Sequence, residues 1–163
     1  MSEIVIPYSP RKLQKFLHTQ IPKSRFNVIV AHRRSGKTVM CINHMIRDAL
    51  TNTQPNPRYA FISPTFKQGK STAWDYIKNF AKNIPFVKFN ESELRCDFPN
   101  GSRIDLLDLQ YKPSDPMYER FGSLEYTGGW IEEGGEINFG AYDVLRTRIG
   151  RWYNTEYNIL PKL

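Results

Sequence analysis

The chain has 163 residues, 40% hydrophobic and 24% charged, the size and composition of one globular domain with its own core. No apolar run is long enough to span a bilayer, the first residues carry no secretion signal, and Cys41 and Cys96 have neither metal-like spacing nor a disulfide framework. A membrane protein and a disulfide-stapled secreted scaffold are thereby excluded as expectations, and a reducing cytosol fits best. The net charge of +7 is uneven: residues 1–90 carry 15 Lys and Arg against three acids, and residues 91–163 carry 8 against 13. The first half suits a polyphosphate or a nucleic-acid backbone, although a solvated basic face would look the same.

In chain order, residues 8–20 open on a Ser-Pro helix start, with Leu13, Phe16 and Leu17 on one face and Gln14 and Lys15 outside it. The Gln14 amide can donate to and accept from an adenine edge, or it is simply an exposed polar residue. An apolar strand, Phe26-Asn27-Val28-Ile29-Val30, then runs into Ala31-His32-Arg33-Arg34-Ser35-Gly36-Lys37-Thr38, and an amphipathic helix follows from Val39. Strand, short loop ending in Gly-Lys-Thr, then helix is the setting of a phosphate-binding P-loop, in which backbone N–H groups and the helix N-terminus surround the phosphates. Lys37 is expected to reach the β- and γ-phosphates, and the Thr38 hydroxyl to ligate Mg²⁺. Ala31 stands where the usual pattern has its first Gly, which is tolerable only if that position does not need φ > 0.

The helix after the loop carries Ile42, Met45, Ile46, Ala49 and Leu50 on one face and should stop near Thr51-Asn52, before Pro55 and Pro57; His44 reads as structural. Tyr59-Ala60-Phe61-Ile62 predicts a second buried strand ended by Ser63-Pro64-Thr65, with Thr65 either a helix N-cap, a residue near the loop, or both. Ala73, Trp74, Ile77, Phe80 and Ala81 mark another helix. Residues 94–107 predict an antiparallel hairpin about Pro99-Asn100-Gly101, decorative to the core, and Ser114-Asp115-Pro116 opens a short helix ending at Gly122.

Residues 126–133, Tyr126-Thr127-Gly128-Gly129-Trp130-Ile131-Glu132-Glu133, read as a short strand ending in two carboxylates. Beside a P-loop, the first carboxylate holds the metal shell and the second orients the attacking water. Glu132 is one methylene longer than the usual Asp, so it is expected to act through a metal-bound water. Adjacent strand residues face opposite ways, so Glu133 must lie where the backbone turns, with Gly134 and Gly135 supplying the freedom. Without the loop upstream, two solvated loop acids would be the simpler reading. Ala141, Val144, Leu145, Arg148 and Ile149 form a last helical face, and residues 157–163 approach a further strand. The expected fold is α/β: a P-loop NTPase with a mostly parallel sheet flanked by helices, plus an antiparallel hairpin, and a sheet left incomplete at its C-terminal end.

Together these segments resemble the ATPase domain of the large terminase subunit, the DNA-packaging motor of tailed bacteriophages. The resemblance rests on His32-Arg33-Arg34-Ser35-Gly36-Lys37-Thr38, on Ser63-Pro64-Thr65-Phe66-Lys67-Gln68, on Asn100-Gly101-Ser102-Arg103-Ile104 and on Trp130-Ile131-Glu132-Glu133, in order and spacing across residues 8–163. It implies that Gln14 reads adenine, that Lys37 and Thr38 hold phosphates and Mg²⁺, that Glu132 supports the metal and that Glu133 is the catalytic carboxylate. It also implies that Arg33 or Arg34 senses the γ-phosphate and that Arg120, in Glu119-Arg120-Phe121-Gly122, serves as a finger to a neighbouring subunit's nucleotide; Arg146, Arg148 and Arg151 are weaker candidates. Gly134 departs from the Ala usual after the acidic pair. ATP and Mg²⁺ are the implied cofactors, and double-stranded DNA, a portal protein, a small terminase subunit and a homo-oligomeric ring are the implied partners, in the cytoplasm of a bacterial host and without a membrane. Residues 1–163 are then a partial ATPase domain, with the family's coupling motif and nuclease domain outside this sequence. Two other readings stay open: another DNA-dependent P-loop ATPase of helicase type, and a non-catalytic DNA-binding fragment.

Overall fold

Arg58–Ser63 (β1) is the strand around which the fold is assembled, because both of its faces are buried and both of its edges are paired. In the computed structural model, which describes residues 5–163, β1 lies within a five-stranded sheet. The other strands are Lys88–Asn90 (β2), Arg95–Asp97 (β3), Arg103–Asp108 (β4) and Gly128–Ile131 (β5), in the order β2-β3-β4-β1-β5. β1 runs parallel to β4 and to β5, while β2, β3 and β4 pair antiparallel. Register places Phe61 opposite Leu106 on one side and Trp130 on the other.

The two-residue period of β1 divides the core. Tyr59 and Phe61 join Ile42, Met45 and Ile46 of the helix Lys37–Thr51 (α2) and Ile77 and Phe80 of the helix Asp75–Ala81 (α4). Ala60 and Ile62 face the opposite way, against Tyr118, Phe121 and Tyr126 and against Ala141 and Leu145 of the helix Phe139–Arg146 (α5). The expected mixed α/β sheet flanked by helices is therefore present. Trp74, at the end of a single π-helical turn Lys70–Trp74 that joins Phe66–Gly69 (α3) to α4, is 1% exposed and donates its indole N–H to Glu91. Thr65 caps α3 by accepting the Gln68 N–H, as its position predicts.

Several expectations are corrected. The apolar run at residues 26–30 is not a strand of the sheet: Val28 is 89% exposed and Val30 92%. Only Ile29 turns inward, onto Met40 and Cys41. Between this run and β5 lies a slot of about 680 Å³, lined by Val28, Val30, Trp130, Ile131, Phe139 and Tyr142. At one end of it the Leu163 N–H donates to the Arg25 carbonyl, the Asn27 N–H to the Leu163 carbonyl and the Gly129 N–H to the Lys162 carbonyl, each at 2.8 Å. Apolarity there is real, but an extended run becomes a strand only when a neighbour takes its backbone groups.

The helix Lys12–Gln20 (α1) shows a different face from the one its apolar residues predict. Leu13 and Phe16 are more than half exposed, and Gln14 is buried. The hairpin is real but not decorative, since β4 pairs with β1 and buries Ile104 and Leu106 in the main core. The helix expected over residues 114–122 contracts to a 3₁₀ turn, Glu119–Phe121, closed at Gly122.

Candidate functional site

Residues 31–38 form a loop that ends on the N-terminus of α2, whose first-turn N–H groups have no side-chain cap because Gly36 occupies the cap position. The left-handed conformations of the loop fall on Arg34, with φ of 60°, and on Gly36, with φ of 84°. Ala31 does not adopt a positive φ, so the missing glycine costs the loop nothing. His32, Arg33 and Arg34 are exposed, and Ser35 turns its hydroxyl inward, where Oγ is buried without a partner. Lys37 folds back over the loop, its Nζ donating to the Ala31 carbonyl at 2.8 Å.

β5 delivers Glu132 to this loop, with Glu133 next to it on the rim of the slot. Its last residues carry the chain past Ile62, whose carbonyl accepts the Glu132 N–H at 2.8 Å. The Thr38 hydroxyl then donates to Glu132 Oε1 at 2.7 Å, and the Trp130 indole N–H donates to Glu132 Oε2 at 2.8 Å. Trp130 and Glu132 share a face because they are two apart on a strand, a signal present in the sequence but unread there. Glu132 thus touches the Thr38 hydroxyl directly, which places both expected metal-shell groups side by side. Burial, reinforced by the Glu132 charge, pushes the nearby Cys41 thiol well up, so it stays a neutral core side chain.

Glu133 is exposed and has φ of 51°, the left-handed region that a side chain enters at a cost of about 1 kcal/mol. The turn that releases it from the strand direction is therefore made by Glu133 itself. Gly134 and Gly135, expected to supply that freedom, have no positive φ and open space where a Cβ would stand. The segment after β1 also reaches this corner, as the Gln68 amide donates to Glu136 at 3.3 Å.

α1 closes the loop from the other side. Gln14 Oε1 accepts the Arg11 N–H at 2.8 Å, Gln14 Nε2 donates to the Gly36 carbonyl at 3.0 Å, and the Arg11 guanidinium donates to the Ser35 carbonyl at 3.1 Å. Gln14 thus lies against the loop, with one N–H and one acceptor site of its amide engaged there. Arg11 carried no signal in the sequence.

Arg120 is held within its own chain. Its guanidinium pairs with Asp115 at 2.8 Å, donates to the Gln110 carbonyl at 2.6 Å and lies over the Phe121 ring. Within this single chain Arg120 therefore packs locally, and its implied reach to a neighbouring subunit's nucleotide belongs to an assembly that one chain does not contain. Arg146 pairs with Asp143, and Arg151 donates to the Thr147 carbonyl.

The residues fit Mg²⁺ and a polyphosphate. The donors brought together, a hydroxyl and a carboxylate, are hard oxygens, and no group of three or more His, Cys, Asp or Glu among the described residues could hold an ion alone. That suits a cation which keeps waters and takes its other ligands from substrate phosphates. The orphaned Ser35 hydroxyl and the uncapped N–H groups of α2 await an acceptor of the phosphate kind.

Comparison with known proteins gives the same architecture. No protein-family model and no curated protein matches the sequence. Among solved structures, the HK97 bacteriophage large terminase is similar at a TM-score of 0.70 with 15% identity, over 96% of this chain and 33% of that one. The large terminase ATPase domain of Thermus phage P74-26 is similar at 0.68 with 15% identity, over 96% of this chain and 64% of that one. The large terminase of another thermophilic bacteriophage, in complex with ADP, is similar at 0.66 with 13% identity, over 84% of this chain and 35% of that one. The chain therefore has the fold of large-terminase ATPase domains and spans between a third and two thirds of those structures.

Proposed function

We propose that this chain is the ATP-hydrolysing domain of a viral DNA-packaging motor of the large-terminase type. The hydrogen bond between Thr38 and Glu132 carries this reading, because it joins the phosphate loop to the acidic strand end across 94 residues of sequence. Mg²⁺, when bound, offsets phosphate charge; Thr38 and Glu132 would hold it. The amides of residues 35–38, the Ser35 hydroxyl and Lys37 bind the phosphates, for which Lys37 must leave the Ala31 carbonyl. Glu133 orients a water for in-line attack on the γ-phosphorus of ATP. The new P–O bond forms as the bond to the ADP oxygen breaks, and the water's proton passes to the Glu133 carboxylate. Arg33 or Arg34, both exposed on the loop, completes the charge around the γ-phosphate.

The basic first half supports double-stranded DNA as the moved substrate, in the cytoplasm of a bacterial host. A portal protein, a small terminase subunit and a homo-oligomeric ring complete the proposed assembly. Residues 1–163 then form part of the N-terminal ATPase domain of that motor.

Phosphate release from Mg·ATP tests the assignment. Glu133→Gln should slow turnover by about 10²–10⁴-fold while nucleotide still binds; an unchanged rate sinks the role given to Glu133. Lys37→Ala should abolish nucleotide binding, and retained affinity would count against the loop.

A further inference from the structure

Two side chains of α1 and its cap grip the outer surface of the phosphate loop at consecutive peptide units. Arg11 takes the Ser35 carbonyl and Gln14 takes the Gly36 carbonyl. A peptide unit is planar and trans, so its C=O and its N–H point in opposite directions. Fixing the Ser35 and Gly36 carbonyls toward α1 therefore fixes the N–H groups of Gly36 and Lys37 away from α1, toward the concave side of the loop. The contact is close: a Cβ on Gly36 would stand 2.6 Å from the Arg11 guanidinium and 2.7 Å from Gln14 Nε2. Glycine suits position 36 for its positive φ, and a side chain there would push the two groups out of place.

Gln14 is itself held, because it is buried and its Oε1 accepts the Arg11 N–H. Arg11 is the opposite case, an exposed side chain whose guanidinium is spent on a main-chain carbonyl. From this geometry we infer that Arg11 is a positioning residue for phosphate: through the Ser35 carbonyl it aims loop N–H groups at the anion. The inference rests on the proposed nucleotide site and assigns Arg11 to the polyphosphate moiety of its ligand.

The experiment measures binding of three probes by calorimetry: ATP, GTP and inorganic tripolyphosphate. Arg11→Ala, at an exposed position, should weaken all three by a similar factor, roughly tenfold for one lost charge-assisted hydrogen bond. Arg11→Gln keeps a donor for the Ser35 carbonyl without the charge and should recover most of that loss. Hydrogen exchange should show faster amides at Gly36 and Lys37 in Arg11→Ala and near-native ones in Arg11→Gln. A loss confined to ATP, with tripolyphosphate binding unchanged, would assign Arg11 to base reading and overturn the inference. So would failure of Arg11→Gln to rescue, which would mean that the charge itself meets the phosphates. Tripolyphosphate binding that depends on Arg11 without any ATP turnover would sink the hydrolase reading and leave this one standing. ATP turnover with binding indifferent to Arg11 would do the reverse, and binding of no probe would overturn both.

Discussion

Thr38 and Glu132 meet through one hydrogen bond, and the chemistry of each depends on the other staying there. The carboxylate is held at both oxygens, by Thr38 and by Trp130, so it keeps one anchor when the other partner is lost. Thr38→Val keeps the shape and removes the hydroxyl. We expect it to lower Mg²⁺-dependent ATP affinity roughly tenfold while tripolyphosphate binding without Mg²⁺ stays close to wild type. Equal losses in both titrations would mean that the hydroxyl serves the loop rather than the cation. At this scale the loop and the acid pair were legible, because Gly-Lys-Thr after an apolar run and Glu-Glu after another are local patterns. Arg11 was not, since nothing local distinguishes an arginine bound to a carbonyl 24 residues away from one in solvent. The local partners of Arg120, Asp115 and the Gln110 carbonyl, were hidden for the same reason, since only the fold shows them.

Elements were readable where apolar residues alone decide what is buried and misread where polar contacts overrule apolarity. α2 and β1 follow their patterns: Phe61 and Ile46 are fully buried in the core that the two share. Phe61→Ala should cost about 3–5 kcal/mol in chemical denaturation, and a loss below about 1 kcal/mol would deny β1 its central place. α1 was misread because Gln14, not Leu13 or Phe16, meets the loop. α1 and α2 also meet through His18 and His44, whose rings stack with their Nδ1 atoms 2.9 Å apart, a contact that needs one ring neutral. Burial pushes the His44 pKa down to about 3, with Arg47, Lys162 and His18 adding to the shift and Asp48 opposing it. A histidine depressed in the folded state binds its proton first in the unfolded chain. Its neutral form is therefore no burden above the ordinary value of 6.5, and stability drains away as pH falls from there toward 3. The slope should approach about 1.4 kcal/mol per pH unit. Denaturant midpoints between pH 7.5 and 5 should fall in the wild type and fall less steeply in His44→Gln; parallel slopes would remove His44 as the cause.

At the scale of the whole molecule, the proposed phosphate loop and the corner at Glu132 and Glu133 belong to two pieces of backbone separated by the slot. β5 is bonded to β1, and β1 to β4, so Glu132 and Glu133 hang from the most connected part of the sheet. Residues 28–30, which lead into the loop, have no such support. Val28 and Val30 face the open slot, and only the Ile29 side chain packs, against Met40 and Cys41. Their apolar sequence promised a strand, but a sequence pattern reports what a face would bury and not whether a neighbour is there to bond the backbone. What ties this piece to the sheet is the main-chain pairing at Asn27 and Leu163, the body of α2 and the Thr38–Glu132 bond. Amide exchange should divide the molecule accordingly. The amides of Val28, Ile29 and Val30 should exchange nearly as fast as in an unstructured peptide, while those of Phe61 and Ile62 exchange only on global unfolding. Bound ATP with Mg²⁺ should slow exchange at Gly36 and Lys37 and leave Val28 fast, because phosphate satisfies the loop's N–H groups and adds no partner to the run before it. Protection at Val28 and Val30 equal to that of β1 would show that the run is bonded after all, and the loop would then be anchored from both of its ends.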